Sequence, residues 1–115
     1  MEGLIGRVAA SAGIEPEVAQ QAVAAIFNFL QKEGPQDKVA FIMAQVPGAQ
    51  AAADSADSPG IGGLMGLASQ LMGLGLGMGQ LQTVGKEIFG YAREKAGDET
   101  IREIAASIPG LSQFI

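Results

Sequence analysis

The chain has 115 residues, 48% of them hydrophobic and 17% charged, enough to bury the core of one domain and short for two. Seven Lys and Arg stand against twelve Asp and Glu, and a net charge of −5 leaves no basic footprint for a phosphate backbone, so no nucleic-acid partner is expected. There is no Cys and no His, which removes disulfides, Cys/His metal sites, thiolate nucleophiles and imidazole bases together.

The start, Met1-Glu2-Gly3-Leu4-Ile5-Gly6-Arg7, carries an acid where a secretory signal has bases. With the absence of Cys, a cytoplasmic setting is the expectation. Leu4, Ile5, Val8, Ala9 and Ala12 recur at helical spacing and predict a first helix that stops at Gly13, a residue suited to a left-handed cap. Pro16 opens a second helix, with Glu15 and Glu17 at the positive end of its dipole. Val18, Ala22, Ile26, Phe29 and Leu30 form its apolar stripe, which ends at Gly34. A third, short helix follows Pro35 with Val39, Ile42, Met43 and Val46 on its inner face. Pro47-Gly48 terminates it, because proline disfavours helical geometry in the residue before it. Ala49 to Ala53 is expected to extend as a helical turn into the polar linker Asp54 to Gly60.

The remaining stripes are Leu64, Leu67, Leu71 and Leu74, then Leu81, Val84, Ile88, Tyr91 and Ala92, then Ile101, Ile104, Ala105 and Ile108, with Gly97 as the break and Asp98 as the N-cap before the last. No alternating β-branched run occurs. The expected class is all-α: about six helices in a single domain, 1–115, with a core including Ile26, Phe27, Phe29, Ile42, Val46, Ile88, Phe89, Ile104 and Ile108.

Two dipeptides recur at an offset of 62 residues: Ile26-Phe27 as Ile88-Phe89, and Pro47-Gly48 as Pro109-Gly110. The same offset lays Phe29 on Tyr91, Val39 on Ile101, Val46 on Ile108 and Gly13 on Gly75. Two pseudo-repeated three-helix units, 1–53 and 63–115 joined by linker 54–62 and sharing one core, account for this. Chance similarity between Ala- and Gly-rich helices is the alternative, and the shared register of apolar and Pro-Gly positions favours duplication.

No charge occurs in the 28 positions between Asp57 and Lys86. Small-residue pairs such as Gly62/Gly66 and Gly75/Gly79 suit a membrane helix. Nine glycines, Pro59, Ser69, Gln70, Gln80, Gln82 and Thr83 argue against a span, and Gly73 to Gly79 read as a corner between helices. No phosphate-binding glycine pattern fits: Gly85-Lys86 is followed by Glu87 where Ser or Thr is required. Glu99 and Glu103, one turn apart beside Arg102 and Lys95, read as a solvated face. No catalytic residue, cofactor or metal is therefore expected.

The helix with Leu64, Met65, Leu67, Leu71 and Met72 is apolar over most of its circumference, which makes it either central or an interface. The expected role is a non-enzymatic structural or protein-interaction module, with a homodimer centred near Leu64, Leu67, Leu71 and Met72. A small-ligand binder or an enzyme with a carboxylate-based site is the alternative.

The Val46-Pro47-Gly48-Ala49 and Ile108-Pro109-Gly110-Leu111 ends, the Gly-Leu-rich middle, and the stretches Phe27-Asn28-Phe29-Leu30 and Phe89-Gly90-Tyr91-Ala92 make the chain similar to a family of small bacterial VcgC/VcgE-like proteins, over roughly residues 4–115. More distantly it resembles another helical family built of duplicated three-helix units. The resemblance implies a compact helical fold and brings no activity, catalytic residue or ligand. Many such relatives carry export signals, and the N-terminus here departs from them.

Overall fold

Prolines and glycines set most of the helix ends. The computed structural model describes residues 2–55 and 63–108, and all regular structure among them is helical: α1 (Glu2–Ala12), α2 (Pro16–Glu33), α3 (Gln36–Gln45), α4 (Ala49–Ser55), α5 (Gly63–Met72), α6 (Met78–Ala96) and α7 (Asp98–Ser107). Gly13 takes φ +67° after α1, the left-handed conformation glycine adopts without penalty. Pro16 occupies the first turn of α2, where its missing N–H has no intrahelical role. Val46, ahead of Pro47, is extended at φ −114°, ψ 100°, so α3 ends there.

Seven helices stand among the described residues, where about six were expected. The addition is α4, whose Ala49 and Ala53 are fully buried and which lies against α2 more extensively than any other pair of helices packs. Asp54 and Ser55 belong to α4 rather than to the expected linker, and the rest of that linker lies outside the described residues. Leu74 falls in the turn 73–75 instead of extending α5, and Gly79 lies in the first turn of α6. The N-cap of α7 is Gly97, at φ +95°; Asp98 is already helical.

Residues 22–30 of α2 are buried on every side, and α6 turns Leu81, Val84, Ile88, Phe89 and Ala92 inward. All nine expected core residues lie in one apolar cluster with Leu4, Val8, Leu30, Leu81 and Ile101. α1 lies mainly along α6, and α5 mainly along α2. Gln80 ties the first of these contacts: Oε1 accepts from the Gly77 N–H at 2.9 Å, and Nε2 donates to the Ala12 carbonyl at 3.1 Å. One side chain thereby serves an orphan donor at the start of α6 and an orphan acceptor at the end of α1. The helix ends recur along the chain: α3 covers 36–45 and α7 98–107, α2 begins at 16 and α6 at 78. Gly13 and Gly75 both have positive φ, and Ile108 repeats the Val46 backbone at φ −114°, ψ 111°.

Candidate functional site

Among the described residues, α5 and the start of α6 carry three of the four large apolar side chains left in solvent. Met65 and Met72 lie seven residues apart, two helical turns on one face of α5, and are 76% and 46% exposed; Met78, the first residue of α6, is 58% exposed. Ser69 lies between Met65 and Met72 and is exposed too. Leu67 and Leu71 point the other way, into the core, at 5% and 4%. They cannot form the centre of a contact with another molecule, because the inward stripe of α5, to which both belong, is packed into the chain's own core. Of the four residues expected there, Met72 is on the surface, and the side chain of Leu64 lies outside the described residues. The surface centre is therefore Met65, expected only on the flank.

Methionine suits such a face, since its unbranched, polarisable side chain adapts to differently shaped partners. Phe41, 45% exposed on α3, is a further large apolar residue in solvent.

A groove of about 240 Å³ opens between α2, α3 and α4, floored by Val39, Ala40 and Met43 and rimmed by the amides of Gln31, Gln36 and Gln50. Gln50 Nε2 donates to Gln31 Oε1 at 3.3 Å and to Asp54 Oδ1 at 3.0 Å. No charged residue lines it. It is smaller than the about 300–1,000 Å³ of ordinary ligand pockets.

The charged residues bind one another across helices. Arg7 on α1 donates to Glu87 and Glu94 on α6, both at 2.6 Å, and Ser11 Oγ donates to Glu87 at 3.1 Å. Glu94 and then Glu87 hold the Arg7 guanidinium above its ordinary pKa. Lys38 on α3 pairs with Glu103 on α7 at 2.7 Å, which raises the lysine pKa. Asp98 joins Arg93 and Arg102, each at 2.8 Å, and Lys95 sits 5.5 Å from the centre of the Tyr91 ring. Glu103 and Asp98 are thus spoken for by cations, and no group of three or more acidic residues able to hold a metal occurs among the described residues. None of the described helices is long and apolar enough to cross a membrane.

Sequence reasoning passed over Asn28. It is buried on α2 and its Nδ2 donates to the Ala53 carbonyl of α4 at 2.9 Å, while Oδ1 has no partner. The signal was present: Asn28 is the one polar residue in the apolar run 22–30. No family model, curated protein or solved structure matches the chain.

Proposed function

We propose that the protein is a non-enzymatic helical module that acts through protein contact, and that its partner at the outer face of α5 is a second copy of the chain. The observation that carries this reading is the exposure of Met65, Met72 and Met78 within a stretch that has no charge from residue 58 to residue 85. A chain of net charge −5 repels its copies over most of its surface, and an uncharged methionine face is where two copies meet with least repulsion. Even fully covered, the three side chains supply at most about half of the about 800 Å² per partner buried in a standard interface. The association is accordingly weak and dependent on concentration.

The same proposal takes the chain as two copies of a three-helix unit and as a relative of the VcgC/VcgE-like proteins, in a cytoplasmic setting. The duplication is supported by the recurrent helix ends, by Gly13 and Gly75 at positive φ, and by the way α1 lies on α6 while α5 lies on α2. A second reading, a small-ligand binder, draws on the groove at Gln31, Gln36 and Gln50, whose lining favours a neutral hydrogen-bonding molecule over carboxylate chemistry.

Sedimentation velocity across a concentration series tests the main reading. A monomer–dimer equilibrium is expected in the native chain and its loss in the double variant Met65→Lys, Met72→Lys with unchanged helicity. A strict monomer at every concentration would refute it.

A further inference from the structure

α4 is short and lightly built. A helix of seven residues is too short to persist by itself in water, so it depends on docking against α2. Of its described side chains, those fully buried are Ala49 and Ala53, which offer one methyl group each. Gln50, Ala51 and Asp54 face solvent. On α2 the docking face includes Asn28, and the buried Ala24 and Ala25 lie on the same side by helical spacing. Small residues on both sides let the two backbones run close, which is how α4 packs so extensively while burying so little side chain.

A buried hydrogen bond fastens the two helices. Asn28 Nδ2 donates to the Ala53 carbonyl at 2.9 Å, one of the acceptors a helix leaves open at its C-terminus. The other half of that carboxamide, Oδ1, is buried without a donor, a penalty that belongs to the closed arrangement and disappears once water reaches it. The Gln31–Gln50–Asp54 bonds lie at the surface, where water replaces them at little cost. At the near end the chain enters α4 through Pro47 and Gly48, the latter at φ +88°.

We propose that α4 is a strap that leaves α2 as a unit, turning at Pro47-Gly48, while the other six helices stay folded. Opening uncovers the strip of Ala24, Ala25 and Asn28 and hydrates the unpartnered amide oxygen. Closure restores it, with Asn28 as the clasp.

Native-state hydrogen exchange on the full chain, at urea concentrations below the unfolding transition, tests this. The amides of Ala52, Ala53 and Asp54 are expected to exchange at least about 100-fold faster than those of Ile26 to Leu30, with little dependence on urea, the signature of an opening that exposes little surface. Asn28→Ala speeds exchange in α4 more than in α2. Equal rates and equal urea slopes for the two helices in the native chain would overturn the proposal, whatever Asn28→Ala does to overall stability.

Discussion

Replacing Gly34 by alanine sets two rules against each other. Gly34 sits at φ −88°, ψ 170°, extended backbone open to any residue. On backbone grounds alone alanine would stabilise the protein by about 0.4–1 kcal/mol, because it narrows the unfolded ensemble. The surroundings reverse the sign. A β-carbon there would lie 2.8 Å from the Leu30 carbonyl oxygen and 2.9 Å from Val39 Cγ2, with Ile108 Cδ1 at 3.7 Å. Leu30 and Val39 are both buried, and the oxygen is backbone that accepts the Gly34 N–H at 2.8 Å, so the neighbour cannot swing away. The α2–α3 corner must shift, an overpacking cost of about 1–3 kcal/mol that exceeds the entropic gain. A net loss of about 1–2 kcal/mol follows, which at this size lowers the melting temperature by about 3–10 °C. Urea unfolding followed by circular dichroism should show a lower midpoint at unchanged slope. A Gly34→Ala protein as stable as the native one, or more so, would refute the close-packed corner.

Other perturbations separate core from surface in the same assay. Ile88→Ala removes three carbons from a fully buried side chain on α6 and should cost about 2–5 kcal/mol; a loss under about 0.5 kcal/mol would remove Ile88 from the core. Gly6→Ala, in the middle of α1 with nothing within 4 Å of the added carbon, should stabilise by about 0.5–1 kcal/mol through helix propensity, and destabilisation would mean that this face of α1 is covered. Lys38, raised in pKa by Glu103, contributes a stability that is fully present below the ordinary lysine range and is lost as pH rises through its raised value. The stability difference between the native chain and Lys38→Gln should therefore be flat at neutral pH and shrink in strong alkali; a difference that grows there would contradict the pairing.

What could be read in advance follows from how each residue type acts. Pro16, Gly13 and Pro47 act on their own backbone or that of the preceding residue, so the ends of α1, α2 and α3 were legible from local chemistry. The large apolar residues at helical spacing marked the core, because Phe27, Ile42, Ile88 and Ile104 have nowhere else to go. Alanine carries little periodic signal, so the sequence shows only a turn at Ala49 to Ala53; the full α4 depends on the small-residue face of α2, a long-range property. Asp98 looked like a cap by residue type. Gly97 takes that position with a conformation open to glycine, leaving the carboxylate to join two arginines. Leu67 and Leu71 lie inside rather than on the surface for a geometric reason: the apolar circumference of α5 is legible in the sequence, but which of its stripes faces inward depends on the helices around it, and the core takes Leu67 and Leu71.

The methionine methyl resonances test the proposed contact most directly, followed by NMR as the protein is concentrated from about 10 µM to about 1 mM. Met65 and Met72 should shift progressively and together, since both face outward on α5, while Met43, 7% exposed in the core, serves as the internal reference and stays fixed. Met65 and Met72 methyls that remain as still as Met43 across that range, or shifts confined to another surface, would contradict self-association through this face.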